Sequence, residues 1–133
     1  MTRPKHVSVV RTFNQADFDQ FAQLSGDDNP IHTDQVFSVG TRFGRTVAHG
    51  LLLCSVLRGL LDRLVPGGRL REQSVMFPAP TYAGEPMLFT LRLTGEENAG
   101  VYSRAVSASR HFEVEIRRIA DDTVTCLGEG KVV

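Results

Sequence analysis

Residues 51–65, LLLCSVLRGLLDRLV, form the most apolar run of the sequence. Apolar side chains fall on nearly every side of a helix wound from this run, so it predicts a buried helix rather than a surface one. The run is too short and too interrupted by charge to cross a bilayer. Pro66-Gly67-Gly68 then stops the helix. The rest of the chain must therefore fold around it.

The sequence divides into a mainly helical half and a strand half. After Gly68 we expect strands at about 69–77, 86–95, 101–108, 111–119 and 123–132, with turns at 83–86 and 95–100. Earlier elements are a short strand over 6–13, a helix over 15–24 between Asn14 as N-cap and Gly26, and one or two helical turns over 33–39. A long buried helix followed by antiparallel strands predicts an α+β fold, with the sheet wrapped around the helix in the hot-dog arrangement.

Composition sets limits on domain number and partners. The 133 residues, 41% hydrophobic and 23% charged, fit one globular domain, 1–133. A formal net charge of zero gives no electrostatic case for binding nucleic acid or an anionic membrane. Cys54 and Cys126 form no CxxC pair, so we expect reduced thiols that fill the core. With no apolar run after the charged start, we expect an intracellular, cytoplasmic protein, an organelle remaining open.

The stretch 25–32, SGDDNPIH, gathers a carboxylate, an amide, a proline and an imidazole. Pro30 pushes Asn29 toward an extended conformation, so we expect a rigid, irregular loop rather than a helix. On such a loop Asp27 and His32 could converge on one point, as shared acid–base chemistry requires. An ordinary Asx-type turn with His32 at the surface would explain the same residues.

Resemblance to a family adds to this interpretation. The motif 25–32, followed by Thr33-Asp34 and Ala48-His49-Gly50, resembles the signature of the MaoC-like, (R)-specific enoyl-CoA hydratases. Further segments resemble the family in the same order: Phe21-Ala22-x-Leu24, Gln73-Ser74-x-x-Phe77, Gly84-Glu85 and Gly128-Glu129-x-x-Val132. The resemblance implies a hot-dog fold and the (R)-specific hydration of trans-2-enoyl thioesters, or the reverse dehydration. It also implies a substrate carried on coenzyme A or acyl carrier protein.

The same resemblance implies roles for particular residues. Asp27 and His32 match the positions that carry the proton transfers, and Gly50 matches the glycine whose N–H binds the thioester carbonyl. A glycine that opens the long helix presents an N–H without an intrahelical partner at the positive end of the dipole. Which of Asp27 and His32 is the base stays open. Asp28 competes for the acid role, and the five-residue spacing of the family selects Asp27.

Two supporting residues carry alternative interpretations. Asn29 could brace the loop through its amide or take part in the chemistry. His49 could be a helix-start residue bonded to the loop, or it could react directly. No histidines stand at a ligand spacing such as His-x-x-x-His, and there is no phosphate loop or dinucleotide fingerprint. We therefore expect no metal and no cofactor, and we treat His6 and His111 as strand or surface residues.

Arginine placement and the sheet edge give expectations about partners. Arginines between 42 and 71 could meet the phosphates of a carrier, or they could form a solvated surface. Arg58 falls on the same side of the long helix as Gly50, so it either enters the acyl pocket or lies in solvent.

A small sheet on one helix leaves an edge and an apolar face, which predicts a homodimer. A hot-dog thioesterase and a non-catalytic thioester-binding module are the competing functions.

Overall fold

The structure is a computed structural model that describes residues 5–97 and 109–133. Its elements follow the chain in this order: β1 (His6–Arg11), α1 (Gln15–Ser25), α2 (Pro30–Thr33), α3 (Gln35–Val39), α4 (Gly50–Leu64), β2 (Leu70–Met76), β3 (Met87–Glu97), β4 (Ser109–Arg118) and β5 (Val124–Val132). Apart from α2, which falls in a predicted loop, these elements match the predicted ones to within a few residues. The strand predicted over 101–108 lies outside the described residues.

One antiparallel sheet accounts for the strands of the described part of the chain. Its five strands run in the order β1-β3-β4-β5-β2, so the two edges are β1 and β2. The inner face of the sheet packs on α4 and forms a single core of buried side chains: Leu53, Leu57, Leu60, Leu61, Met87, Phe89, Leu91, Phe112, Val114, Ile116, Cys126 and Val132. The α+β class and the hot-dog arrangement are confirmed.

Helix α4 is buried on one side only, which corrects the expectation of burial nearly all round. Leu53, Leu57 and Leu61 face the sheet and are at most 2% exposed, whereas Leu51 is 73% exposed. A single sheet can cover only one side of a helix that crosses it. The opposite side of α4, which includes the exposed Leu51, is not covered by the part of the chain that the structure describes.

The helix that precedes the motif begins and ends as its sequence predicts. Asn14 caps α1 and forms a reciprocal capping box with Asp17. Gly26 ends the helix with φ 81°, a left-handed conformation that suits a residue without a side chain. The following motif differs from the predicted loop, because Pro30 opens the short helix α2. Proline is tolerated there, since the first residue of a helix has no intrahelical use for its N–H.

Both cysteines are free thiols, as expected. Cys126 is fully buried in the core, and burial raises its pKa to about 12. Burial also raises the pKa of Cys54, which is half-buried on α4. A thiol that resists ionisation is a poor nucleophile, so both residues act as small apolar side chains.

No helix among the described residues is long and apolar enough to cross a membrane.

Candidate active site

A chain of short-range hydrogen bonds shapes the motif between α1 and α2. The Asp27 N–H donates to Ser25 Oγ at 3.1 Å, and the Asn29 N–H donates to Asp27 Oδ1 at 3.4 Å. Asn29 Oδ1 in turn accepts from the Ile31 N–H at 3.1 Å, which makes Asn29 the N-cap of α2. The amide of Asn29 therefore braces the turn, in agreement with one of its two interpretations.

The His32 ring is fixed by a carbonyl from another segment of the chain. Its Nδ1 lies 2.8 Å from the Val47 carbonyl oxygen, and since that oxygen can only accept, Nδ1 carries the hydrogen. In the neutral ring Nε2 is then left with its lone pair. Nε2 faces Asp27 Oδ2 at 3.8 Å, with the His32 side chain 14% exposed and that of Asp27 56% exposed. This distance is too long for a direct hydrogen bond, and one water can bridge it.

His49 lies behind this pair and is 2% exposed. Its ring stacks on that of His32, with centroids 3.8 Å apart and 22° between the planes, and it meets the ring of Phe21 edge-on at 4.8 Å. His49 Nε2–H donates to the Asp27 carbonyl at 2.9 Å. His49 is thus bonded to the loop at the start of α4, as one interpretation predicted. Its ring supports Asp27 through the backbone and His32 through stacking.

Burial lowers the pKa of His49, and the adjacent His32 lowers it further, against the opposing effects of Asp27. His49 takes up a proton less readily in the folded protein than in the unfolded chain. Protonation of the unfolded chain therefore lowers the free energy of unfolding. We therefore expect the free energy of unfolding to fall as the pH drops below the ordinary value of 6.5, and to keep the full contribution above it. Urea unfolding at pH 7.5 and pH 5.5 should show a smaller fall for His49→Gln than for the wild type. His6→Gln is the exposed control and should behave as the wild type; equal falls in all three proteins would contradict the prediction.

Gly50 is the first residue of α4, as predicted. The Leu53 N–H donates to the His49 carbonyl and so makes the first hydrogen bond of the helix. The Gly50 N–H comes earlier and has no acceptor within the helix, so it is left for another acceptor. A Cβ at Gly50 would lie 2.9 Å from two ring carbons of Phe77, a distance that would force the ring to move. A side chain at position 50 would therefore need the Phe77 ring to shift, so the packing of Phe77 favours glycine here.

Comparisons with known proteins bear on this arrangement. The sequence model of the MaoC-like domain matches residues 2–114, which is most of the chain. The chain belongs to the MaoC-like domain family. Its curated relatives include the (R)-specific enoyl-CoA hydratase of Aeromonas caviae, 37% identical over 88 residues that make up 65% of this chain and 66% of that protein. The enzyme of the same name from Rhodospirillum rubrum is 33% identical over 66% of this chain and 62% of its own length.

The chain thus spans just under two thirds of the length of these two curated relatives. A solved structure, the (R)-hydratase from A. caviae involved in PHA biosynthesis, covers 99% of this chain and 96% of its own, with a TM-score of 0.83 and 26% identity. The likeness in fold to this solved structure therefore includes the motif and α4.

The MaoC-like site brings together three residues that the sequence keeps apart. One ligand atom each from Asp27, His32 and His49 lies within 4.8 Å of the others, although no pair stands at a ligand spacing in sequence. One nitrogen of each ring is already bonded to a backbone carbonyl, which leaves a single nitrogen per ring for any cation. The absence of a catalytic metal stays a prediction.

Two arginines considered for substrate contacts have partners within the chain. Arg58 forms an ion pair with Asp62 at 2.6 Å, one turn along α4, and its side chain is 39% exposed. Arg45 bonds Glu85 at 3.0 Å and lies over the Tyr82 ring. The Arg58 guanidinium is therefore paired and in part exposed to solvent. His6 and His111 lie on β1 and β4, away from the motif in sequence and in the sheet.

Two features of the MaoC-like site were not predicted from the sequence. The Val47 carbonyl orients His32, and no side-chain pattern reports a backbone acceptor. The Phe77 ring packs on Gly50; Phe77 was singled out by resemblance, but its role was not. Gly50 and Phe77 lie 27 residues apart, and no local pattern in the sequence links them.

Proposed function

We propose that this MaoC-like chain catalyses the (R)-specific hydration of trans-2-enoyl thioesters to (R)-3-hydroxyacyl thioesters, or the reverse dehydration. One observation carries the proposal: Asp27 Oδ2 and His32 Nε2 face each other at 3.8 Å. A water molecule that sits beside both atoms can hydrogen-bond to each of them, and water is the second substrate of the reaction. The names of the two curated relatives support the same reaction class.

The proposed mechanism divides two proton transfers between Asp27 and His32. Hydration adds the water oxygen to C3 and a proton to C2 of the enoyl group. The reacting form is the one in which one member of the pair carries a proton. The other member takes a proton from the water as the water oxygen bonds to C3, the protonated member gives its proton to C2, and transfer between the two restores the pair. The negative charge passes to the thioester oxygen as an enolate. The Gly50 N–H at the start of α4 is the donor that this oxygen would meet.

The test is the addition of crotonyl-CoA to the purified chain. Hydration removes the absorbance of the conjugated enoyl thioester without releasing a free thiol. The product should not reduce a nicotinamide when coupled to an (S)-specific dehydrogenase, and it should do so with an (R)-specific one. Unchanged absorbance, or a signal with the (S)-specific enzyme, would overturn the proposal.

Thioester hydrolysis is the competing reaction on the same fold, and the placement of Asp62 counts against it. Asp62 is the only carboxylate on α4. It lies twelve residues beyond Gly50, or about 18 Å along the axis, and it is paired with Arg58. In the crotonyl-CoA assay hydrolysis would appear as free thiol. A non-catalytic binding module would leave the absorbance unchanged, and it would have no use for the Asp27–His32 pair.

We propose that the chain is a homodimer. Large apolar side chains lie exposed on the helices that flank the motif: Leu24, Val36, Val39 and Leu51. A surface of this kind is normally covered by a partner. Sedimentation at micromolar concentration should give twice the mass of the chain. Leu51→Asp should shift the protein toward monomer, while Ile119→Asp, at an exposed turn residue, should not; a fully active wild-type monomer would contradict this prediction.

We further propose that Arg58 and Asp62 influence the acyl chain length. Gly50, Cys54, Leu57 and Arg58 fall on one side of α4, so an acyl tail bound at Gly50 would run toward the ion pair. Arg58→Ser should raise activity on eight- and twelve-carbon enoyl-CoA substrates relative to four-carbon crotonyl-CoA. Arg63→Ser, in the exposed last turn, is the control. An unchanged chain-length profile would place Arg58 outside the acyl pocket.

A further inference from the structure

The Gln15 amide spans the two segments that hold the His32 ring. Its Nε2 donates to the His32 carbonyl at 2.9 Å, and its Oε1 accepts from Thr46 Oγ1 at 2.5 Å. Thr46 is 1% exposed and directly precedes Val47, whose carbonyl accepts from His32 Nδ1–H. One side chain thus bonds both to the backbone of His32 and to the segment that orients its ring.

Hydrogen bonds link His32 to the segment 46–47 by two separate paths. One path from His32 runs through its own carbonyl to Gln15 and on to Thr46. The other path runs through Nδ1 to Val47, the next residue. The backbone already joins these two segments once, because the Val47 N–H donates to the Ile31 carbonyl at 3.1 Å. The Gln15 amide adds a second link on the other side of His32, so that His32 is held relative to Val47 from two directions. Without Gln15 the first link would remain and His32 would have more freedom to shift against Val47.

We propose that Gln15 is a positioning residue that holds His32 in the orientation needed for proton transfer. The expected effect on kcat rests on the proposed hydratase function. The expected effect on the orientation of His32 rests on the contacts alone. Gln15 needs both ends of its amide for this role, because the His32 carbonyl requires a donor and the Thr46 hydroxyl an acceptor. A glutamate has no N–H to offer the carbonyl, and a methionine offers neither group.

A purely structural role for Gln15 has less to support it. Gln15 is the first residue of α1, but the start of that helix is satisfied by the capping box of Asn14 and Asp17. Gln15 also forms hydrogen bonds with Asp19 at 3.0 Å and with Gln35 at 3.2 Å, and both of these bonds are exposed to solvent. These two residues touch Gln15 without touching His32. They provide matched controls.

The kinetic test compares Gln15→Met with Asp19→Ala and Gln35→Ala. Gln15→Met should lower kcat on crotonyl-CoA roughly tenfold, with KM within about twofold, because a misplaced general acid–base group affects the chemical step. The controls should keep the kcat of the wild type, and all three variants should have similar Tm values. Thr46→Val should reproduce the loss, Thr46→Ser should not, and Thr46→Val combined with Gln15→Met should be no worse than either alone, since both break one link.

A second measurement separates this inference from the proposed function. Nitrogen-15 NMR of the His32 ring reports the tautomer whether or not the chain has activity. The wild type should show the Nδ1–H tautomer, and Gln15→Met should show a mixture, while the two controls keep the wild-type signal. A wild type inactive on crotonyl-CoA with the NMR change present would overturn the function and keep the inference. A single tautomer and full kcat in Gln15→Met, or equal losses in the controls, would overturn the inference.

Discussion

Asp27→Asn and His32→Gln are each expected to lower kcat on crotonyl-CoA by roughly a hundredfold or more, because each removes a proton-exchanging group from the site. Each substitution keeps the hydrogen bonds that shape the loop. Asn retains an acceptor for the Asn29 N–H, and Gln retains a donor for the Val47 carbonyl. The loss should therefore appear in turnover and not in folding. Initial rates from enoyl absorbance, with Tm measured on the same samples, provide the test.

The controls are a neighbouring carboxylate and a distant imidazole. Asp28 is exposed and adjacent to Asp27 in the chain, and His6 lies on the edge strand β1. Asp28→Asn and His6→Gln should keep turnover within about twofold of the wild type, as is usual for surface substitutions. Near-wild-type turnover in Asp27→Asn or His32→Gln would remove that residue from the mechanism. A large loss in Asp28→Asn would reassign the acid role.

The parts of the fold that follow from local sequence could be predicted. The apolar run gives α4, because a helix without a polar face must be buried against something. Asn14 and Gly26 bound α1 through capping and a left-handed terminus, which are properties of those residues themselves. The sequence also places Asp27 and His32 in one motif and Gly50 at the start of the long helix, because these positions follow from the order of residues along the chain.

Other features depend on contacts between distant segments and could not be predicted. The stacking of His32 on His49, and the Val47 carbonyl that fixes the His32 ring, arise only when the loop before α4 folds over the motif. The start of α2 at Pro30 was missed because the turn chemistry of Asn29 served equally as a loop signal and as an N-cap. The exposed side of α4 was missed because the apolar pattern does not report how many layers cover it.

Gly50→Pro is expected to produce the second large loss, by removing the N–H that would meet the developing enolate. Proline is compatible with this backbone position. Gly50 is the first residue of α4, where a missing N–H costs no intrahelical bond, and His49 has φ −64° and ψ 135°, which suits the residue before proline. The loss of one such donor lowers kcat by about a hundredfold to a thousandfold in other enzymes. We therefore expect the helix to form and the chemistry to slow.

The added ring atoms of proline need their own control, because any Cβ at Gly50 would meet the Phe77 ring at 2.9 Å. Phe77→Ala opens that space, and both Gly50→Ala and Gly50→Pro should be made in this background. Ala adds the Cβ and keeps the N–H, so the ratio of the two kcat values isolates the donor. Pro should be slower than Ala by about a hundredfold, with similar Tm values and similar KM. Equal kcat values would mean that the carbonyl oxygen of the substrate takes its hydrogen bond from another group, and that Gly50 is a glycine only because Phe77 packs against it.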